Sequence, residues 1–150
     1  MILTILVQFI FSYLATVTFA IITNVPKKAL NACGLTGAFG WMLFYALNKF
    51  GSGTVMATIA GAFVVAVASH FFAKYKHMPI TIFNVPGIVP LVPGSLAFQA
   101  VRNFVLGEYT VAIGFSVQVA MVAGAIAAGL MLSEVFNHSI RRFREHKEKF

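Results

Sequence analysis

Five long apolar runs, separated by short polar or glycine-rich breaks, fill most of this sequence of 150 residues. The runs cover roughly residues 2 to 23, 29 to 47, 54 to 73, 80 to 106 and 109 to 132. A helix that crosses the hydrocarbon core of a bilayer needs about 20 apolar residues, and each run is long enough. The pattern predicts an all-α membrane protein with five transmembrane helices in a single domain over residues 1–150.

The composition agrees with a membrane setting, since 59% of the residues are hydrophobic and only 10% are charged. Soluble domains carry about 25% charged residues. The first run has no basic start and is too long for the apolar part of a secretory signal, so we expect a retained first span. The one cysteine, Cys33, falls inside a predicted span and can form no disulfide within the chain, so helix packing must hold the fold.

Lysine and arginine residues predict the orientation in the membrane. If there are five spans, two of the 11 basic residues, Lys49 and Arg102, lie on one side and nine lie on the other. The nine are Lys27, Lys28, Lys74, Lys76, Arg141, Arg142, Arg144, Lys147 and Lys149. Cytoplasmic segments carry the excess of basic residues, so the N-terminus is predicted outside and the basic tail, residues 133–150, in the cytoplasm. We interpret these charges as topology signals and as contacts with the lipid bilayer, and we expect no nucleic-acid partner.

Four of the five prolines lie between residues 79 and 94, inside the fourth run. Proline has no N–H group, so a helix through this segment loses some of its backbone hydrogen bonds. Three carbonyls would lack their helical donors, those of Ile82, Pro86 and Val89. Lipid offers no replacement donors, so such a segment is tolerated where it borders protein or a water-filled cavity. We therefore predict that the fourth span is broken by this Pro/Gly-rich segment and unwinds there, with Gly87 and Gly94 allowing left-handed or closely approached backbone.

After the break, the sequence predicts a new helix with Gly94 or Ser95 as its N-cap and Gly107 just beyond its end. The first turn of such a helix presents free N–H groups and the positive end of the helix dipole, which suit a carboxylate. Carbonyls of an unwound segment suit an ammonium group or a cation. The predicted substrate-binding residues are Asn84, Pro86, Gly87, Pro90, Pro93, Gly94, Ser95, Gln99 and Arg102. Two simpler roles stay open: the prolines only kink the bundle, and Arg102 only extends to the outer interface.

Ionisable residues are scarce in the predicted spans. The chain contains no aspartate, and none of its four glutamates falls near a predicted bilayer midplane. His70 lies about one turn inside the membrane and is a candidate for proton coupling, although a neighbouring carbonyl could equally satisfy it. Transport could also use a carboxylate from another subunit, or proceed without protons. The sequence shows no metal-ligand spacing, no phosphate-binding loop and no nucleophile motif, so we expect neither an enzyme nor a cofactor.

Small and polar residues recur at helical spacing in four of the runs. They are Gln8, Ser12, Thr16 and Ala20 in the first, Gly34 and Ala38 in the second, Ala62 and Ala66 in the third, and Ala120, Gly124 and Ala128 in the last. Small residues let membrane helices approach closely. These patterns predict a tight bundle, and a partner subunit or other copies of the chain are expected.

The chain resembles the small five-span members of the threonine/serine exporter family, which are similar to the C-terminal membrane half of the full-length exporters. The resemblance covers residues 1 to 140 and depends on Asn24-Val25-Pro26, Lys28-Ala29-Leu30, the glycines at 34, 37 and 40, and above all Pro90-Leu91-Val92-Pro93-Gly94. It implies a half-transporter in the bacterial cytoplasmic membrane. Its partner would be a second five-span subunit that corresponds to the N-terminal half.

The resemblance also implies the substrate class, which is small carboxylate metabolites such as threonine, serine or a dicarboxylate such as succinate. Autonomous transport is in doubt because the N-terminal half is absent from this sequence. Two other functions remain open, a homo-oligomeric channel and an accessory subunit that does not itself transport.

Overall fold

The structure is a computed structural model that describes residues 2–147, with side chains from residue 3 to residue 139. All regular secondary structure in that range is helical. The six α-helices are α1 (Ile2–Ile22), α2 (Leu30–Lys49), α3 (Thr54–Lys76), α4 (Thr81–Gly87), α5 (Gly94–Val105) and α6 (Tyr109–Lys147). Two short 3-10 helices, Lys27–Ala29 and Val89–Leu91, precede α2 and follow α4. The predicted all-α class is therefore confirmed.

Four helical segments of the described chain are long and apolar enough to cross a membrane. They are Leu3–Ile22, Lys27–Lys49, Thr54–Lys76 and Tyr109–Ser139. The fourth predicted span is instead a pair of shorter segments, Thr81–Leu91 and Gly94–Val105, which meet at an angle of 57°. The number of crossings is five if this bent pair is one of them.

The break itself is shorter than the sequence predicts. Helix α4 continues through Pro86 to Gly87, and a 3-10 helix follows almost at once. Only Val92, with an extended backbone, and Pro93 leave helical geometry before α5 begins. The expectation that the whole segment unwinds is wrong, because 3-10 hydrogen bonds join residues three apart and so pass around the prolines.

Helix α2 packs between α1 and α3, while α6 packs against α3 and α5. The predicted ridge on α1 is buried at Ser12, Thr16 and Ala20. A Cβ atom at Gly37 of α2 would collide with the Thr16 side chain, so this glycine allows the close approach of α1 and α2. The predicted small-residue packing is confirmed for this helix pair.

On α6 two of the three predicted small residues are not buried within the chain. Ala120 and Gly124 are exposed, and a Cβ atom at Gly124 would meet nothing within 4 Å. The buried residues of this helix lie on another face and include Val122, Ala125, Ile126 and Gly129. The two sets have nearly the same spacing, and the larger apolar side chains supply the contact with α3 and the 3-10 turn. The helix also continues past residue 132 to Lys147, and residues 148–150 of the basic tail lie outside the described range.

Two glycines of α6 provide a matched test of this packing. A Cβ atom at Gly129 would lie 2.8 Å from Cβ of Ala62 and 3.1 Å from the Phe63 nitrogen, so Gly129→Ala must push α3 and α6 apart. We expect a loss of roughly 1–3 kcal/mol, as is typical of overpacking. Gly124→Ala should cause no loss. The measurement is thermal unfolding of the two variants in detergent, monitored by circular dichroism. Equal melting temperatures would contradict the packing of α3 against α6 at Gly129.

Candidate functional site

The α4 side of the break is buried in the bundle. Phe83, Pro86 and Gly87 are fully enclosed, and α4 contacts α1, α2 and α3. A Cβ atom at Gly87 would lie 2.8 Å from Cγ2 of Thr36 and 2.9 Å from Cγ1 of Val65. The predicted need for close approach is thus confirmed at Gly87. These contacts fix the position of the break between α2 and α3.

Gly94 differs from Gly87, although the sequence predicted left-handed or closely approached backbone at both. Its backbone lies outside the left-handed region, and a Cβ atom there would meet nothing within 4 Å. Neither conformation nor space requires glycine at this position. The N-cap of α5 is Pro93, and the helix starts at Gly94. The sequence predicted the N-cap at Gly94 or Ser95, so the helix starts one or two residues earlier than predicted. The other end is as predicted, because Gly107 follows α5 with a φ of +79°.

Two of the three carbonyls that the prolines were expected to leave free have donors. The buried Cys33 thiol of α2 donates to the Ile82 oxygen over 3.2 Å, and the Val92 N–H group donates to the Val89 oxygen, also over 3.2 Å. The N–H group of Ile88 donates to the Asn84 oxygen over 3.1 Å, and no hydrogen bond to the Pro86 oxygen is found in the described chain. The prediction of free acceptors is therefore wrong at Ile82 and Val89, where a thiol and a tighter turn replace the missing N–H groups.

Other acceptors in the same segment lack donors. The Leu91 and Gly94 N–H groups donate to Ile88 and Val92, and residues 90 and 93 are prolines, so no backbone group in the described chain donates to the Gly87 and Pro90 oxygens. The side chain of Asn84 adds a third case, because its Oδ1 atom is buried and has no hydrogen-bond partner. These three unsatisfied acceptors belong to Asn84, Gly87 and Pro90, all of which are predicted site residues.

Helix α5 brings three of the predicted site residues onto one face. Ser95, Gln99 and Arg102 follow helical spacing and form what we call the polar strip, in which Ser95 and Arg102 are exposed and Gln99 is half-buried. Its neighbour Asn103 is buried and donates from Nδ2 to the Gln99 oxygen over 2.7 Å. Arg102 forms no ion pair within the described part of the chain. The main neighbour of α5 is α6.

A crevice reaches the break from the side of α1 and α2. It has a volume of about 170 Å³ and is lined by Gln8, Phe11, Ser12, Trp41 and Pro90. The Trp41 indole N–H donates to Oε1 of Gln8 over 2.8 Å. The sequence indicated only a packing role for Gln8, and nothing in its spacing pointed to the Trp41 contact, which joins two different helices.

His70 does not lie alone. Its Nε2 atom is 3.0 Å from Oε2 of Glu134 on α6, with the His70 side chain 29% exposed and the Glu134 side chain 73% exposed. The sequence offered a neighbouring carbonyl as the partner of His70, and not a carboxylate of the same chain. The contact between His70 and Glu134 was not predicted because Glu134 lies beyond the predicted end of the last span. Between residues 3 and 139, no three His, Cys, Asp or Glu side chains gather as metal ligands.

Removing the Cys33 thiol tests how the break is stabilised. Cys33→Ala leaves the Ile82 carbonyl without a donor, and an unsatisfied buried polar group costs about 1–3 kcal/mol. Cys33→Ser keeps a donor at the same position and should be the more stable of the two variants. The measurement is thermal unfolding in the same detergent. Equal melting of both variants would mean that the thiol contributes only volume.

Comparison with known proteins gives a family match over most of the chain. The family described as threonine/serine exporter, ThrE, matches residues 8–136. An uncharacterized protein of Haemophilus influenzae is 29% identical over 142 residues, which cover 87% of this chain and 46% of the relative. A probable threonine/serine exporter of Mycobacterium tuberculosis is 27% identical over 130 residues, which cover 85% of this chain and 24% of the relative.

The chain thus spans about half the length of the first relative and about a quarter of the second. No solved structure matches the chain. The resemblance that the sequence indicated through its Pro90-Leu91-Val92-Pro93-Gly94 segment is confirmed by the family match, which includes that segment.

Proposed function

The chain belongs to the threonine/serine exporter family, and from this premise we propose that it is one subunit of a two-component exporter. The exporter would move small carboxylate metabolites, threonine and serine or a dicarboxylate such as succinate, out of the bacterial cytoplasm. The observation that carries the proposal is the bent α4–α5 pair with its polar strip. Broken helices inside membranes supply substrate sites in secondary transporters.

We propose that the bent pair crosses the membrane once, which makes five spans. Residues 81 to 105 rise by about 35 Å at 1.5 Å per residue, enough for a hydrocarbon core of about 30 Å even with a bend. This crossing places nine basic residues on one side and two on the other. The N-terminus is then outside and the C-terminus lies in the cytoplasm of a bacterial cell.

The substrate carboxylate is proposed to bind at the start of α5. The N–H groups of Ser95 and Leu96 have no backbone acceptor in the described chain, and they lie at the positive end of the helix dipole. From there the polar strip leads along α5 to Arg102, four residues before Leu106 at the end of the helix. Gln99 and Arg102 supply amide and guanidinium donors for an anion on this route.

The second subunit is proposed to cover the polar strip. Arg102 lies in the last turn of α5 and is exposed, so its guanidinium group needs water or protein beside it instead of lipid tails. Much of each relative lies outside the matched region, and a separate subunit corresponding to the N-terminal half would take its place. A homo-oligomeric channel is the second candidate, because the exposed Gly124 surface would also admit a helix from another copy.

Arg102→Gln tests the site in vesicles that contain this chain and the second subunit. Loss of a charge-assisted hydrogen bond costs about 1.5–3 kcal/mol, so efflux of labelled serine, threonine or succinate should fall by roughly tenfold or more. Arg102→Lys should retain part of the activity. Lys49→Gln, which removes the other basic residue of the same predicted side, is the matched control and should leave efflux unchanged.

The same vesicles distinguish the exporter from a channel and from an accessory subunit. Robust efflux without the second subunit would overturn the two-component proposal, and ion conductance in planar bilayers by this chain alone would favour the channel. Equal efflux by Arg102→Gln and Lys49→Gln would mean that Arg102 only extends to the membrane interface and does not bind the substrate. Full efflux after both Pro90→Ala and Pro93→Ala in an assembled complex would support an accessory role.

His70 is proposed to couple transport to protons through its contact with Glu134. Lys74 lies one turn beyond His70, and His138 one turn beyond Glu134, while α4 carries no ionisable side chain. His70→Gln should flatten the dependence of efflux on pH, because it removes the group that is proposed to carry the proton. Glu134→Gln should weaken that dependence, because it removes the carboxylate that lies 3.0 Å from His70.

The control for this pair is His77→Asn. His77 lies at the end of α3 in a left-handed conformation, with a φ of 51°, which asparagine also tolerates. The control should keep the pH profile of the unaltered protein. An unchanged profile in both His70→Gln and Glu134→Gln would show that the pair serves only to hold α3 and α6 together.

A further inference from the structure

The α4 side of the break carries more hydrogen-bond acceptors than donors. The buried Oδ1 atom of Asn84 has no partner, and no donor in the described chain reaches the Gly87 and Pro90 oxygens. One backbone donor of this segment, the N–H group of Val89, is likewise without a described acceptor. A buried acceptor without a partner is unfavourable, so the segment favours a ligand that donates hydrogen bonds or carries positive charge.

The surroundings of these acceptors also favour positive charge. They lie in the last turn of α4 and the 3-10 turn that follows, where helix carbonyls concentrate negative potential. No lysine, arginine or histidine occurs between residues 78 and 101. Gly87 is held between Thr36 and Val65, so this part of the backbone has little freedom to turn its carbonyls toward other donors. A cation would meet these acceptors without competition from a basic side chain of the same segment.

The crevice between α1, α2 and the break provides access to one of these residues. Pro90 forms one of its walls, and Trp41 forms another. An indole ring attracts cations through its π face. Trp41 is the only tryptophan of the chain, so its fluorescence reports directly on ligands that enter beside Pro90.

We propose that Asn84, Gly87 and Pro90 form a subsite for a monovalent cationic group on the α4 side of the break. The group is either the ammonium of an amino-acid substrate or a free sodium ion, and both present positive charge to oxygen acceptors. The subsite rests on the proposed function and deepens it, because it lies across the break from the carboxylate position at the start of α5. Its occupation does not depend on transport and can be measured on this chain alone.

Fluorescence of Trp41, in the full chain in lipid nanodiscs, tests the subsite and separates the two sources. Sodium chloride is titrated against choline chloride at constant ionic strength, and ethanolamine and serine are then compared with N-acetylserine in choline chloride. A saturable response to sodium but not to choline identifies a free cation. A response to ethanolamine and serine but not to N-acetylserine identifies an ammonium group. If neither sodium nor the amines give a saturable response, the proposal is overturned.

Two variants assign the response to these acceptors. Asn84→Leu removes the buried oxygen and should weaken binding roughly tenfold. Pro93→Ala supplies an N–H group that can bond within the turn to the Pro90 or Val89 oxygen, and it should also weaken binding. Asn48→Leu, at the exposed end of α2, is the matched control and should bind as the unaltered chain does. Unchanged binding in both test variants would overturn the assignment.

A third variant keeps the test decisive if Asn84→Leu does not fold. Asn84→Asp has nearly the same shape and replaces the neutral acceptor with a carboxylate, so cation affinity should rise. Equal or weaker cation binding by Asn84→Asp would overturn the proposal. Efflux measurements are separate from all these titrations, so a failure of the exporter proposal leaves the binding result standing, and the reverse also holds.

Discussion

Backbone hydrogen bonding in an apolar environment is the constraint on which the rest of this structure depends. Inside a bilayer no water replaces a missing donor, and three prolines between residues 86 and 93 remove donors from one helical segment. The chain compensates locally with 3-10 bonds and, at Ile82, with the Cys33 thiol from another helix. The proline segment can therefore stay inside the bundle, buried against α2 and α3.

The direction of α5 follows from the same constraint. Because the 3-10 turn keeps the backbone helical up to Leu91, the change of direction is confined to Val92 and Pro93, and it reaches 57° there. The bend leads α5 to α6 as its main neighbour. The polar strip is consequently left on an open face of the chain, which is why the exporter proposal requires a second subunit beside it.

Hydropathy predicted the helices well because bilayer thickness sets their length. The break was also located correctly, since proline restricts the backbone wherever it occurs. Its conformation was not predictable, because the choice between bonds three and four residues apart depends on packing, and the Cys33 donor comes from 49 positions away in sequence.

Both faces of α6 offered helical spacing, and the neighbours of that helix, rather than its own sequence, decided which one is buried. The site residues also differ in how far the sequence predicts them. Helical spacing alone groups Ser95, Gln99 and Arg102, whereas the contact of His70 with Glu134 joins separate helices and depends on their packing.

The direction of the chain through the break bears on the substrate. Carbonyls accumulate where α4 ends and free N–H groups where α5 begins, so the two sides of the break attract opposite charges. Under the proposed function, an amino acid, with its ammonium and carboxylate close together, would satisfy both sides at once. A dicarboxylate would satisfy only the α5 side, and its second carboxylate would need Arg102 or the cation proposed to bind at Asn84 and Pro90. The choice between the two substrate classes therefore depends on whether the α4 side receives its positive charge from the substrate or from an accompanying ion.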